Sequence, residues 1–397
     1  MSDPFNFPQQ DLLRHGHLVS AAVERITASG QVILAEGVRR FEAAFAAWLG
    51  LDPQQVIGVA NGTDALELAL RAAGVAPGER VLLPSHTAYA TAAAVLRLEA
   101  RPVFVDLEPG RSVLSAAHLE HLLHCDAGGQ AGAGPFRAVI AVHLYGEACD
   151  LAALTSLCGR HGLALIEDCA QACGTTYREK PVGSWGDFAA FSFYPTKNLA
   201  AFGDGGALVA NRPEAVETAR RSRFYGWDDQ RRAVQFGVNS RLDELQAWVL
   251  LDKLADLPAQ IEQRRQVAAW YADLLAGLPL ELPADGPDWR HSYHLHVIRL
   301  DPEARRQVLC EGQRRRLPLS LHYALACHQH PYLQERLAGQ PPLPETEKRL
   351  AEILTLPLHP FLPRTAVEEM ASHLRGLLAE ASPASPPRPA AYGAGPC

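Results

Sequence analysis

Short apolar runs alternate with helix-like stretches between about residues 80 and 210 of the chain. Within the runs nearly every position is apolar, rather than every second one. Near-continuous apolar strands separated by amphipathic helices are typical of a mostly parallel sheet that is covered by helices on both faces. The sixth run follows closely on the fifth, so part of the sheet is expected to be antiparallel. The six runs are Arg80–Pro84, Pro102–Asp106, Ala138–Val142, Ala164–Asp168, Phe188–Phe193 and Gly206–Val209.

The segments on either side of this region predict helices. Strong helix formers follow a turn-like segment at residues 61–64, so Thr63 or a residue next to it is the expected N-cap. Between Ser240 and Leu257, apolar residues recur at helical spacing, which predicts a long helix that links two domains.

The chain changes character beyond about residue 260, where short segments such as His294–Ile298 alternate between polar and apolar positions. This pattern predicts a smaller α+β domain, and the length of 397 residues also favours two domains. We therefore expect a large domain over residues 1–258, including an N-terminal segment, and a small domain over residues 259–381. The remainder, residues 382–397, is rich in Pro, Ala and Gly and is expected to be disordered.

Composition and charge favour a globular protein that binds neither nucleic acid over a broad surface nor a membrane. With 48% hydrophobic and 20% charged residues, the chain has ample material for a large core. A net charge of −7 argues against a broad nucleic-acid-binding surface. No signal-peptide pattern and no charge-free membrane span is evident, so we expect a cytoplasmic protein without a membrane partner. Eight cysteines without a C-x-x-C spacing fit free thiols.

Three positions at predicted strand or helix ends could carry chemistry. Gly62 and Thr63 stand where unpaired backbone N–H groups and the helix dipole can hold a phosphate, although an ordinary capped helix explains them as well. Asp168 ends a buried strand, where it can pair with a cationic ring nitrogen or cap the next helix. Lys197 follows another buried strand. Desolvation there would lower the pKa of its amine and make it a nucleophile, whereas most lysines are simply exposed.

The order of these positions along the chain favours one interpretation. A site for pyridoxal 5′-phosphate (PLP) on a parallel sheet requires a phosphate-binding turn, a strand-end aspartate and a strand-end lysine beside a glycine loop. The aspartate would keep the pyridine nitrogen protonated, the lysine would reach the aldehyde, and the helix start would hold the phosphate. A fourth segment, Gly237–Ala247, is either a capped interdomain helix or a further part of this site.

Taken together, these residues resemble the DegT/DnrJ/EryC1/StrS family of sugar aminotransferases. The resemblance extends from about Gly30 to Pro363, and the segments Glu167–Gln171 and Ser192–Asn198 carry its most specific motifs. It implies an α/β PLP enzyme of fold type I, with a mostly parallel seven-stranded sheet in the large domain and a smaller C-terminal α+β domain. It also implies a homodimer with shared active sites.

The resemblance implies roles for individual residues. Lys197 matches the Schiff-base lysine, which is also the general acid and base, and Asp168 matches the partner of the pyridinium nitrogen. Gln171 matches a residue that lies beside the cofactor ring and its 3-hydroxyl. The matching phosphate ligands are Gly62, Thr63 and Ser192, with Asn239 contributing from the neighbouring subunit. The candidate substrate contacts are Tyr225, His322 and Tyr323.

The same resemblance implies a reaction. The protein is expected to move an amino group from L-glutamate to a nucleotide-linked keto-deoxysugar, best matched by a dTDP-3-oxo-6-deoxyhexose. A 4-keto sugar nucleotide and a free keto-cyclitol remain open as acceptors, and a catalytically silent, PLP-binding regulatory protein is the alternative outside enzymes. Lys197 favours transamination, because a related dehydratase branch has histidine in this place.

Two positions depart from the family pattern. Ala88 stands where the family often has an aromatic residue that stacks on the cofactor ring, which leaves open whether Tyr89 or His86 takes that role. Asp64 adds a carboxylate to the phosphate-binding turn, and we expect it to point away from the phosphate. The sequence has neither an HExxH motif nor a close Cys/His pairing with zinc spacing, so we predict no metal site.

Overall fold

A computed structural model of the protein describes residues 3–125, 134–337 and 340–381, and the tail expected over residues 382–397 lies outside them. The strands are β1 Val56–Val59, β2 Arg80–Pro84, β3 Arg101–Val105, β4 Phe136–Val142, β5 Ala164–Asp168, β6 Thr176–Tyr177, β7 Lys180–Pro181, β8 Phe188–Ser192, β9 Gly206–Ala210, β10 Leu280–Glu281, β11 Trp289–Arg290, β12 His296–Leu300 and β13 Ile353–Leu356. The helices are α1 Phe7–His15, α2 His17–Ser29, α3 Glu36–Leu49, α4 Gly62–Ala72, α5 Tyr89–Leu96, α6 Ala116–Cys125, α7 Leu151–His161, α8 Pro213–Ser222, α9 Glu244–Leu254, α10 Leu257–Leu274, α11 Pro302–Arg314, α12 Pro331–Gln334, α13 Pro344–Glu352 and α14 Arg364–Ala381.

The main sheet has seven strands in the order β1-β9-β8-β5-β4-β2-β3. From β8 to β3 the neighbouring strands are parallel, whereas β9 is antiparallel to both β8 and β1. The predictions of a mostly parallel sheet and of an antiparallel sixth run are therefore confirmed. The sequence analysis missed β1, because this strand has only four residues and one of them is Gly58.

Helices cover both faces of the sheet, so the side chains of one strand enter two different cores. Ile166 of β5 belongs to a cluster with Leu68 of α4 and Val95 of α5. Its neighbour Leu165 packs on the other face, in a cluster that includes Leu154 of α7. Successive strand residues point in opposite directions, so this continuous burial explains why the strands are apolar at nearly every position.

A second, three-stranded antiparallel sheet has the order β10-β12-β13. It packs in a separate apolar cluster with α10, α11 and α14, which agrees with the α+β character expected of this part of the chain. The remaining strands form a small sheet in the order β11-β6-β7. Among the described residues, no helix is long and apolar enough to cross a membrane.

The single helix predicted from Ser240 to Leu257 is wrong in two respects. Helix α9 begins only at Glu244 and ends at Leu254, and α10 starts at Leu257 after a break of two residues. Pro258 explains the break, because it has no N–H to donate to the carbonyl of Leu254 and is favoured in the first turn of a new helix. The domain boundary expected after residue 258 would fall in the first turn of α10.

Candidate active site

The carboxyl ends of β5 and β8 meet the N-terminus of α4. Asp168 is the last residue of β5 and pairs with Ala190 of β8. Ser192 is the last residue of β8, and it lies so close to Gly62 that a Cβ on Gly62 would be 2.7 Å from the Ser192 Cβ. Two of the predicted phosphate ligands therefore lie side by side, at the edge where ligands bind in open α/β sheets.

The first turn of α4 presents free donors. Asn61 is the N-cap, since its side chain accepts a hydrogen bond of 2.8 Å from the Asp64 N–H. This corrects the expectation that Thr63 or a residue next to it caps the helix: the Asn61 side chain reaches the N3 position, and Thr63 lies inside the first turn. Within the described part of the chain, the N–H groups of Gly62 and Thr63 have no acceptor. With the hydroxyls of Thr63 and Ser192, they form a donor set that suits an oxyanion.

Asp64 is turned away from these donors. Its Oδ1 accepts a hydrogen bond of 2.8 Å from Arg97, and its Oδ2 accepts one of 2.7 Å from the Ser240 hydroxyl. This carboxylate, which adds a negative charge to the phosphate-binding turn predicted from the sequence, therefore ties α4 to its neighbours.

Asp168 is a buried carboxylate, only 5% exposed. Its Oδ1 accepts from the Ala170 N–H at 3.1 Å, and its Oδ2 accepts from the Thr91 hydroxyl at 2.9 Å. Burial raises the pKa of this carboxyl, although both hydrogen bonds and the positive charge of Lys197 oppose the rise. A cation placed against Asp168 would therefore be stabilised. The sequence analysis did not single out Thr91, whose position facing Asp168 depends on how α5 packs.

Lys197 lies in the loop after β8 and lines a cavity of about 510 Å³. Three other predicted site residues, Gln171, His322 and Tyr323, line the same cavity. Burial lowers the pKa of the Lys197 amine to about 8, while Asp168 acts in the opposite direction. The amine therefore reaches its neutral, nucleophilic form at a lower pH than an exposed lysine does, with half of it neutral at about pH 8.

Gln171 joins the end of β5 to the opposite wall of this cavity. Its side-chain oxygen accepts the Tyr145 N–H at 2.8 Å, and its amide nitrogen donates to the Tyr323 hydroxyl at 2.8 Å. The Tyr145 hydroxyl donates in turn to the carbonyl of His322 and lies 2.6 Å from Nε2 of His86. The predicted site residues Gln171, His322 and Tyr323 are therefore parts of one hydrogen-bonded wall, although Gln171 is about 150 residues from the other two in the sequence.

Two predicted site residues lie elsewhere in the single chain. Asn239 lines a separate cavity of about 450 Å³, together with Gly203 and Arg241. Tyr225 is 39% exposed and contributes to neither this cavity nor the one at Lys197. The structure of one chain therefore does not bring Asn239 or Tyr225 to Lys197.

The position of Ala88 has no aromatic replacement from its neighbours. His86 is fully buried and hydrogen-bonded to Tyr145, so its ring faces the interior. Tyr89 packs on His330, with ring centroids 4.9 Å apart. Neither ring is placed to replace an aromatic side chain at position 88.

One buried group of metal-ligand type, formed by His143, Glu167 and Cys169, lies beside the site. Both Glu167 oxygens already accept hydrogen bonds: Oε2 from His143 and the Gly183 N–H, and Oε1 from the N–H groups of Trp185 and Gly186. Burial alone would raise the pKa of Glu167, but these donors hold it below its ordinary value. Glu167 therefore anchors the loop before β8 and has no oxygen left for a metal ion.

The contact between Gly62 and Ser192 predicts the effect of a single methyl group. In Gly62→Ala, the new Cβ would lie 2.7 Å from the Ser192 Cβ and 3.3 Å from its Oγ, so either α4 or β8 must shift. We expect a loss of about 1–3 kcal/mol in the free energy of unfolding and, because the donors move apart, at least about tenfold weaker binding of a phosphate ligand. Urea titration and PLP titration measure the two effects. Gly74→Ala, at an exposed positive-φ turn with open space around it, destabilises the chain without a contact to Ser192. It therefore controls for a general loss of stability and is expected to leave PLP affinity unchanged.

Comparison with known proteins agrees with this geometry. The sequence pattern of the DegT/DnrJ/EryC1/StrS aminotransferase family matches residues 15–375. The chain belongs to the DegT/DnrJ/EryC1/StrS aminotransferase family. It is therefore an aminotransferase, and its large mixed sheet is that of the PLP enzymes of fold type I.

Individual members of the DegT/DnrJ/EryC1/StrS family are similar over most of the chain. The chain is 39% identical to dTDP-3-amino-3,4,6-trideoxy-alpha-D-glucose transaminase of Streptomyces venezuelae over 345 aligned residues. The alignment covers 87% of this chain and 88% of the relative. The crystal structure of S. venezuelae DesV has a TM-score of 0.85 at 36% identity, over 94% of this chain and 98% of that one. NtdA of Bacillus subtilis, solved with its cofactor PMP bound, has a TM-score of 0.82 at 25% identity, over 92% of this chain and 82% of that one.

Proposed function

We propose that the protein uses PLP to transfer an amino group from L-glutamate to a nucleotide-linked keto-deoxysugar. The observation that carries the proposal is the convergence of Asp168, Lys197 and the donors of α4 at one end of the sheet, beside a cavity of about 510 Å³. An acid, an amine and an oxyanion-binding turn are the three protein groups that PLP requires.

The donor set fits PLP group by group. The N–H groups of Gly62 and Thr63 and the hydroxyls of Thr63 and Ser192 would hold the phosphate, and Asp168 would hold the protonated ring nitrogen. Gln171 and Ala88 would lie beside the ring. When bound, PLP supplies an electron sink that stabilises negative charge at the carbon from which a proton is removed.

The residues of the chain supply the proton transfer, the charge beside the ring nitrogen and the wall of the cavity. Lys197 Nζ would remove the proton from the α-carbon of the amino donor and release it to the cofactor within the same half-reaction. In the second half of the cycle it would take that proton back and place it on the acceptor carbon that receives the amine. The hydrogen bonds that Thr91 and Ala170 donate to Asp168 favour its charged form against the effect of burial, and a protonated ring nitrogen beside it would favour that form further. Tyr323, held by Gln171, closes the wall of the cavity and limits the access of water.

A second cation in the Lys197 cavity supports a dicarboxylic amino donor. Arg264 of α10 lines this cavity and is only 1% exposed. Its Nε and Nη2 have no hydrogen-bond partner within the described residues, and its Nη1 makes only long contacts with two backbone carbonyls, at 3.3 and 3.5 Å. The nearby Asp11 is already held by His15 and Lys253. A carboxylate of glutamate would give this guanidinium the partner that it lacks.

Arg264→Met is expected to raise the KM for L-glutamate by about 10- to 100-fold, the effect of losing one charged hydrogen-bond pair. The KM for the sugar acceptor is expected to stay within about twofold of wild type. Steady-state kinetics with each substrate varied in turn measure both. Arg265→Met is the matched control, because the neighbouring Arg265 pairs with Asp285, 2.6 Å away and outside this cavity. An unchanged KM for glutamate in Arg264→Met would show that the donor carboxylate binds elsewhere.

The acceptor and the assembly are proposed on the basis of similarity. The S. venezuelae relative is named for a dTDP-linked 3-amino sugar, which supports a 3-keto sugar nucleotide rather than a 4-keto one. We propose a cytoplasmic homodimer in which Asn239 and Tyr225 act in the partner's site. The exposure of Tyr225 and the location of Asn239 in a separate cavity support this arrangement.

The proposed function is tested in two half-reactions. Purified protein with PLP is treated with L-glutamate, and both the absorbance spectrum and the formation of 2-oxoglutarate are followed. The aminated protein is then offered dTDP-3-oxo- and 4-keto-hexoses and a free keto-cyclitol, with the amino product identified by mass spectrometry. Binding of PLP without formation of 2-oxoglutarate would favour the regulatory alternative, and no binding of PLP would overturn the proposal.

A further inference from the structure

A second cavity, of about 260 Å³, lies behind the wall of the Lys197 cavity. It is formed between the loop that contains Arg111 and the segment from Glu281 to Trp289, and Tyr145 lines it from the side of the sheet. Within the described residues, Leu295 is the only residue that lines both cavities. Nothing in the proposed transamination uses this second cavity.

Most of the charges around this cavity have partners. The ion pairs are Arg111–Glu147 at 2.6 Å, Arg265–Asp285 at 2.6 Å and Arg299–Glu281. Glu147 is held further by the N–H of Ser112 at 3.3 Å. After these pairs are counted, one charged side chain among the described residues that line the cavity has no ion-pair partner.

That side chain is Arg349 of α13, which is only 5% exposed. Its Nε is buried without an acceptor, and in the described part of the chain its guanidinium makes neither a hydrogen bond nor an ion pair. Burial lowers the pKa of Arg349 and the positive charge of Arg299 acts in the same direction, while the charges of Glu352 and Glu147 oppose the shift from beyond ion-pair distance. A buried cation without a hydrogen-bonded counter-ion is unfavourable, so an anion bound at this guanidinium would be stabilised.

Two neutral donors line the same cavity. His291 accepts the Tyr293 N–H on its Nδ1 at 2.8 Å. Since burial lowers the pKa of His291 to about 3, the ring is neutral and its single proton must be on Nε2, which makes Nε2 a donor. The Nε1–H of Trp289 is also buried without an acceptor. One unpaired cation and two N–H donors, with the cavity's carboxylates already paired, select an oxyanion.

We propose that this cavity is a second binding site, for a small oxyanion that carries a carboxylate or phosphate group and is held by Arg349. A cavity of about 260 Å³ is smaller than those that usually enclose a drug-sized ligand, so the ligand is a small metabolite or an inorganic anion rather than a sugar nucleotide. The inference does not depend on the proposed function.

Tyr145 would transmit the effect of the anion to the active site. It lines the second cavity, while its N–H and hydroxyl bond to Gln171 and to the carbonyl of His322 in the first. The positive charge of Arg349 acts to lower the pKa of His86 and that of the Tyr145 hydroxyl. Neutralising Arg349 with a bound anion therefore changes the field at the residues that shape the Lys197 cavity.

Anion titrations of the PLP-saturated protein test the site. Inorganic phosphate and succinate are titrated separately by calorimetry into wild type, Arg349→Gln and Lys348→Gln, where Lys348 is the exposed neighbour on α13. We expect wild type and Lys348→Gln to bind one of the two anions with a Kd in the millimolar range. Arg349→Gln should bind it at least about tenfold more weakly. The anion that binds identifies the group, and equal binding by Arg349→Gln, or no binding by wild type, would overturn the proposal.

A second measurement does not depend on the variant. Crystals of the wild-type protein are soaked in selenate or bromosuccinate, and the anomalous signal locates the bound anion. Density within hydrogen-bond distance of the Arg349 guanidinium supports the site, and density confined to the phosphate donors of α4 or to the Lys197 cavity overturns it.

Arg349→Gln also removes an unpaired buried charge, so without anions we expect it to unfold at a temperature no lower than that of wild type.

Discussion

Lys197→Ala is expected to lower kcat/KM for transamination by at least about 10³-fold. A positioned general acid and base contributes about 10²- to 10⁴-fold, and Lys197 is in addition the amine that we propose bonds to the cofactor. The variant retains the donors of α4 and the Asp168 carboxylate, so it should still bind PLP without a covalent link. Production of 2-oxoglutarate from L-glutamate measures the loss.

Trapping distinguishes loss of the amine from loss of the fold. After borohydride reduction, PLP should remain on the peptide that carries Lys197 in wild type and on no peptide of this site in Lys197→Ala. Lys348→Ala removes the same group from an exposed position and should match wild type in both assays. If Lys197→Ala retained more than about a tenth of wild-type activity, Lys197 would not be the catalytic base.

The pH dependence of cofactor attachment follows from the same residue. The pKa of about 8 for Lys197 means that its amine is mostly protonated, and so without a free electron pair, below that pH. The rate of attachment should therefore rise with pH through about 8 and then level off. Asp168 opposes the lowering of this pKa, so the inflection should move to lower pH in Asp168→Asn.

Asp168→Asn is expected to lower kcat by about 10²- to 10³-fold, the usual effect of removing one preorganised charged group from an active site. The amide keeps the size of the carboxyl and an oxygen for the Ala170 N–H. It has no charge with which to hold a proton on the ring nitrogen, and PLP then loses much of its power to accept electrons. Single-turnover rates with L-glutamate measure the chemical step directly.

Thr91→Val is the control for Asp168→Asn, because it weakens the surroundings of the carboxylate without removing its charge. It removes one hydrogen bond of 2.9 Å from the same carboxylate but leaves the charge, so a loss of no more than about tenfold is expected. Thermal unfolding of both variants without PLP shows whether the fold is intact. If Asp168→Asn and Thr91→Val had equal effects, the charge of Asp168 would not be what matters.

The sequence was informative where local chemistry decides the structure. Apolar runs of the right length located six of the seven strands of the main sheet, because burial on both faces demands apolar residues at nearly every position. The missed strand β1 is short and contains Gly58, so its signal was below that of its neighbours. Pro258 is a local indication that a helix ends before it and a new one begins, but the helical spacing of apolar residues over 240–257 led to the prediction of one continuous helix.

The order of Gly62, Asp168 and Lys197 along the chain led to the prediction of a PLP site, because Gly62 begins α4, Asp168 ends β5 and Lys197 lies in the loop that follows β8. The sequence could not assign partners. That Thr91 bonds to Asp168, that Asp64 turns to Arg97, and that Gln171 reaches Tyr323 depend on how distant segments pack.

By itself, then, the sequence determined the fold class and the family resemblance, since strand patterns and turn residues act over a few positions. The residues expected to meet PLP stay a prediction from the same patterns. Only the tertiary structure decided which buried guanidinium groups have no ion-pair partner among the residues that the structure describes. Arg264 and Arg349 look like any other arginine in the sequence, because an unpaired charge is a property of everything that surrounds it after folding. The candidate carboxylate and oxyanion sites at these two residues therefore became visible only in the folded chain.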